Sequence, residues 1–198
     1  MNGLPVVLIH GYPLNHTMWF STIASLGAQA RVICPDLPGF GREPVLEEKP
    51  SMEAYAAWLA RMLDANNARE AIVAGMSMGG YIALAFAELY PERVAGLGLV
   101  STQSVADTSE AREARGQMIK KIQSEGSNAA AQAILPKFFS ARASGNPELE
   151  KYVREGAERA GAAGLSWALE AMAARKDRTE VVRNLSVPVL VLHGTEDR

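Results

Sequence analysis

The stretch Gly75-Met76-Ser77-Met78-Gly79-Gly80 constrains this chain more than any other. It follows Ala71-Ile72-Val73-Ala74, an apolar run suited to a buried parallel strand, and opens residues 81–89, which read as a buried helix. Small residues two before and two after the serine let the backbone reverse sharply between strand and helix. The hydroxyl then stands exposed above the sheet, the arrangement known as a nucleophile elbow. A chance Gly-x-Ser-x-Gly is the alternative, and the strand before and helix after speak against it. Ser77 is therefore predicted as a nucleophile.

Other apolar runs of strand length fall at Pro5–Ile9, residues 31–34, Val94–Val100 and Val189–Leu192. Helical patterns separate the first four strands. Ser51 reads as an N-cap, with Tyr55, Trp58, Leu59, Met62 and Leu63 on one helical face. Strand and helix alternate, so an α/β fold on a parallel, doubly wound sheet is expected.

Residues 103–184 break that rhythm. Their periodic stretches are Ser109–Glu125, 128–135, 147–160 and 164–175, punctuated by Gly126, Pro136, Gly145-Asn146-Pro147 and Gly161. They read as a helical cap inserted between two strands, with Phe138, Phe139, Trp167, Leu169 and Met172 among its apolar residues. Ordinary sheet-covering helices are the alternative, but one crossover needs a single helix. The expected division is 1–102 as the first part of the core, 103–184 as the cap, and 185–198 as the last strand with its loop.

The 198 residues allow one well-packed domain, and 48% apolar with 21% charged residues is the balance of a globular protein. A net charge of −2 with scattered signs points to neither nucleic acid nor an anionic membrane. The one cysteine, Cys34, is read as a buried structural thiol in a strand. No charged stretch precedes the short apolar run at residues 4–9, so neither a signal nor a membrane span is expected there, and a cytoplasmic setting is.

The first strand ends in His10-Gly11-Tyr12-Pro13, beside the strand that leads to Ser77. The backbone N–H groups of Tyr12 and Met78 are predicted as an oxyanion hole, with Met78 in the first helical turn, where N–H groups lack partners. Asp36, in Asp36-Leu37-Pro38-Gly39-Phe40-Gly41, reads as a carboxylate that stabilises its loop. Asp197, in Gly194-Thr195-Glu196-Asp197 after the last strand, is the predicted catalytic acid, and Glu196 its solvated neighbour.

In order and wording these motifs resemble the α/β-hydrolase superfamily over essentially the whole chain. Residues 10–19 and 75–83 look most like its esterase, enol-lactonase and cofactor-free haloperoxidase branch. The resemblance implies the sheet order second, first, third, fourth, fifth strand. It also implies a serine hydrolase that cleaves a carboxylic ester or lactone through an acyl-serine intermediate, with no metal or organic cofactor. The family's base is a histidine on a loop beyond one further strand. His10 belongs to the oxyanion turn, His16 to the loop before the next helix, and His193 to a strand end, so none of the three fits. The chain is accordingly expected to lack the triad histidine, the final strand and the leading hairpin. Its last strand would then be an exposed edge open to self-association. A non-catalytic hydrolase-fold binding protein, or an inactive fragment, is the alternative.

Overall fold

A computed structural model describes residues 3–197. Five parallel strands form one sheet: β1 (Pro5–Ile9), β2 (Arg31–Ile33), β3 (Ala71–Met76), β4 (Val94–Val100) and β5 (Val189–Leu192), in the order β2-β1-β3-β4-β5. β2 ends one residue before Cys34, which is half-buried rather than sealed in the core. Its Sγ–H donates to the His16 carbonyl at 3.5 Å, and burial pushes the thiol up to about 12.

Helices α1 (Phe20–Leu26), α2 (Met52–Ala65) and α3 (Met78–Leu89) make the crossovers among the first four strands. Right-handed connections put α2 and α3 on one face of the sheet and α1 on the other, because the chain steps outward from β1 to β2 and then back the opposite way. The Ser51 hydroxyl accepts the Ala54 N–H and starts α2, whose Tyr55, Leu59 and Leu63 are fully buried. α3 is buried along most of its length, as its uniformly apolar sequence requires.

Between β4 and β5 lie α4 (Ser109–Glu125), α5 (Asn128–Phe138), α6 (Pro147–Ala173) and α7 (Thr179–Arg183). The first three pack on one another, whereas α7 returns to α3. α5 runs through Pro136, near its C-terminal end, at the loss of one intrahelical hydrogen bond, that to the Gln132 carbonyl. α6 joins the two stretches expected on either side of Gly161, which keeps a kink with φ of 65°. Past the kink, Trp167 packs edge-on against Tyr55 and donates its indole N–H to the Glu48 carbonyl. The buried Arg178 guanidinium binds Glu53 of α2 at 2.8 Å and Glu88 of α3 at 3.0 Å, tying the return of the chain to the core.

The face on α1's side is open toward β5. Ile72, Leu190 and Leu192 share that face and are exposed, and the other β5 residues, Val189 and Val191, are exposed as well. Among the described residues, no helix is long and apolar enough to cross a membrane.

Candidate active site

Ser77 joins β3 to α3 with φ of 51° and ψ of −113°, a left-handed conformation that a serine adopts only when its surroundings impose it. They do so by crowding. A Cβ on Gly75 would fall inside the Gly79 carbonyl, and one on Gly79 would fall inside the Ile9 carbonyl. Only hydrogen at both positions lets the helix start against the strand ends. The Ser77 N–H donates to the Val100 carbonyl at 2.9 Å, and its carbonyl accepts the Thr102 hydroxyl at 2.8 Å, which pins the turn from β4.

The turn after β1 lies alongside. Gly11 sits against the Met76 carbonyl and the Ser77 Cβ. Among the described residues, neither the Tyr12 N–H nor the Met78 N–H is paired. Both Tyr12 and Ser77 border a cavity of about 650 Å³, while Met78, the first residue of α3, is fully buried. The opposite wall comes from Lys137, Phe138 and Phe139 at the end of α5, and the loop after β5 supplies His193, Glu196 and Asp197.

Asp197 is the anchored acid of that loop. Its Oδ2 accepts the Ser101 hydroxyl at 2.5 Å and the Gly194 N–H at 2.8 Å, and these two donors hold its carboxyl below the usual range. Ser101 was not foreseen. It follows β4 directly, with φ of 44°, and its place at the same sheet edge as Ser77 is the one sequence signal that marks it. Glu196 is exposed and accepts the Ala141 N–H at 3.1 Å.

Asp36 does not border the cavity. Its Oδ1 accepts the His16 N–H at 3.0 Å and pairs with His16 Nδ1 at 2.6 Å. Burial alone would raise its carboxyl, but these bonds hold it low. The three histidines thus have separate settings. His10 is buried, accepts the Leu37 N–H through Nε2, and has Nδ1 3.1 Å from the Gly11 carbonyl, so both nitrogens are engaged. Burial lowers its pKa to about 4. His16 is held by Asp36. His193 is exposed on the cavity rim, its Nδ1 3.6 Å from Asp197 Oδ2. No cluster of metal-ligating side chains occurs among the described residues.

A second polar cluster, also unforeseen, joins the segment before α4 to α4 itself and to the end of α6. The buried Asp107 takes Arg115 Nε at 2.5 Å and the fully buried Arg175 Nη1, and Arg175 stacks 4.1 Å over the Tyr81 ring.

A family model described as the alpha/beta hydrolase fold matches residues 5–198. Among solved structures, a thermophilic esterase from Thermogutta terrifontis, determined with malate bound, superposes with a TM-score of 0.91 at 38% identity, covering 97% of this chain and 71% of that one. The enol-lactonase from Burkholderia xenovorans LB400 superposes with a TM-score of 0.88 at 26% identity, covering 98% and 74%. A pimeloyl-[acyl-carrier protein] methyl ester esterase from Aromatoleum aromaticum is 38% identical over 103 residues, which is 52% of this chain and 38% of that one. The chain spans about a third of the length of such curated relatives, between 31% and 38%. With a motif order, a sheet order and a family match that agree over nearly all its residues, the chain belongs to the alpha/beta hydrolase fold family.

Proposed function

We propose that this is a serine hydrolase of carboxylic esters or lactones, acting through an acyl-serine intermediate on a small-molecule substrate. One observation carries the reading: the left-handed Ser77 stands at the strand–helix turn, facing a cavity beside two unpaired backbone N–H groups. Ser77 Oγ attacks the carbonyl carbon while its proton passes to a histidine imidazole that none of His10, His16 and His193 supplies, so turnover needs that base from outside the described residues. The Tyr12 and Met78 N–H groups take the developing oxyanion, and each such donor contributes about 3 kcal/mol. Collapse expels the alcohol, protonated by the imidazolium, and water then releases the acid by the same steps in reverse. Asp197 orients the imidazole and steadies its charge. None of His10, His16 and His193 is assigned as that imidazole, because each is engaged elsewhere or held on the acid's own turn. The cap role of α4–α6, the domain boundaries and a cytoplasmic setting belong to the same reading.

The settings of those three histidines also favour a second reading, a hydrolase-fold protein that binds without turnover. One pair of measurements separates the two. In the protein completed with a family-like strand and histidine loop, a fluorophosphonate probe should label Ser77, and Ser77→Ala should abolish both labelling and p-nitrophenyl acetate hydrolysis. In that completed protein Asp197→Asn should lower turnover by roughly 10⁴-fold, with Asp36→Asn within tenfold of the parent. Equal labelling of parent and Ser77→Ala would remove Ser77 from the chemistry. Labelling without hydrolysis above the Ser77→Ala level would select the binding protein.

A further inference from the structure

Ser77 and Asp197 leave strands that do not touch. Ser77 follows β3 and Asp197 lies in the loop after β5, two strand spacings of about 4.8 Å each apart, with β4 between them. The residues at the exit of β4, Val100, Ser101 and Thr102, reach both. On one side the Val100 carbonyl accepts the Ser77 N–H at 2.9 Å, and the Thr102 hydroxyl donates to the Ser77 carbonyl at 2.8 Å. On the other side the Ser101 N–H donates to the Leu192 carbonyl at 2.8 Å, and the Ser101 hydroxyl donates to Asp197 Oδ2 at 2.5 Å.

The backbone bonds alone would hold the strands together, so the two hydroxyls do something more. The Ser77 carbonyl already accepts the Gly80 N–H at 2.9 Å and the Tyr81 N–H at 3.3 Å, and Thr102 supplies no missing partner. What it adds is a fixed distance between the first turn of α3 and β4. The fit there is close, since a Cβ on Gly80 would fall inside the Thr102 side chain. Ser101 has φ of 44°, a conformation that glycine adopts without steric cost and a serine does not. A glycine would keep the backbone bond to Leu192. The serine side chain makes one hydrogen bond, to Asp197, and together with the Gly194 N–H it occupies Oδ2. Among the described residues no donor reaches Oδ1, which leaves that oxygen open to an imidazole N–H.

We propose that Ser101 and Thr102 are positioning residues, a bracket of two hydroxyls that fixes the spacing of Ser77 and Asp197 and turns Asp197 so that Oδ1 faces the base. The proposal deepens the serine-hydrolase reading and rests on it for the roles of Ser77 and Asp197. A misplacement of about 1 Å can cost roughly 10²-fold in rate, which is the scale on which such a bracket acts.

The test uses the protein completed with a family-like strand and histidine loop, with p-nitrophenyl acetate as substrate. Ser101→Gly keeps the backbone conformation and removes the hydroxyl. It should lower kcat by about 10- to 100-fold, with KM within about threefold and the thermal melt little changed. Ser101→Asn, which tolerates the same φ and carries a donor, should recover most of that loss. Thr102→Val should lower kcat about tenfold, and Thr102→Ser should recover it. Because either change loosens the same bracket, the double variant Ser101→Gly/Thr102→Val should lose less than the product of the two. A second readout needs no turnover. Followed by NMR, the Asp197 carboxyl carbon should titrate at higher pH in Ser101→Gly than in the parent, because the Ser101 hydroxyl is the foremost donor holding it low. Ser101→Asn should reverse that shift, and His193, 3.6 Å from Oδ2, is common to every variant. Parent-level kcat in Ser101→Gly or Thr102→Val, a loss confined to KM, failure of either conservative variant to recover kcat, a double variant at the full product, or an unmoved Asp197 titration would each overturn the proposal. A parent without Ser77-dependent turnover would instead strike the serine-hydrolase reading, and the Asp197 titration would still decide the Ser101 contact.

Discussion

His10 shows what full burial does to an imidazole. Burial lowers its pKa to about 4 from 6.5, and its bonds to Leu37 and Gly11 suit the neutral ring. Above pH 6.5 neither state holds the proton and the stabilisation is complete. Between 6.5 and 4 only the unfolded chain takes the proton up, so stability falls as pH falls, and below 4 this contribution is level. The span corresponds to about 3 kcal/mol, or roughly 6–12 °C in melting temperature for a chain of this size. Melts between pH 7 and 4 should show that slope in the parent, and His10→Gln should flatten it even if its melting temperature is lower throughout. An unchanged slope would mean that another group titrates there. Asp36, held low by His16, acts at more acid pH and cannot substitute for it.

At the scale of elements, the docking of α6 depends on the absence of one side chain. Gly164 meets the Gly39 backbone so closely that a Cβ there would fall inside the Gly39 carbonyl. The half of α6 beyond the Gly161 kink therefore lies directly on the loop that follows β2. Gly164→Ala should force the helix off that loop and lower stability by about 1–3 kcal/mol, roughly 2–12 °C. Gly116, inside α4 with open space around it, is the control: Gly116→Ala should raise stability by about 0.5–1 kcal/mol through helix propensity. Differential scanning calorimetry on both variants checks the pair, and a neutral Gly164→Ala would mean that the helix can shift without loss.

For the molecule as a whole, the exposed edge at β5 is the main liability. Val189, Leu190, Val191 and Leu192 are 41–67% exposed, and only β4 pairs with them among the described residues. An apolar, unpaired edge invites strand addition from another molecule. A polypeptide of these 198 residues should therefore sediment as a concentration-dependent mixture, and Val191→Lys should shift it toward monomer. A parent that sediments as a single monomeric species at high concentration would refute the edge as a site of association.

The strands, the strand–helix turn at Ser77 and the strong helix starts were legible in the sequence because each is written locally. Apolar runs of strand length, Ser51 at a cap and glycines flanking a serine act within a few residues of themselves. Where local signals competed, the reading was less complete. Pro136 and Gly161 look like stops, yet the tertiary packing of α5 and α6 outweighs one lost hydrogen bond and one kink. The arrangement around Ser77 was decided only in three dimensions. Ser101 holds Asp197 across 96 residues, and Arg175 reaches Asp107 across 68. The engagement of His10 and His16 and the open face at β5 arise in the same way. Each depends on which distant groups the sheet and helices bring within a few ångströms, and hydrogen bonds, burial and charge balance are fixed at that range.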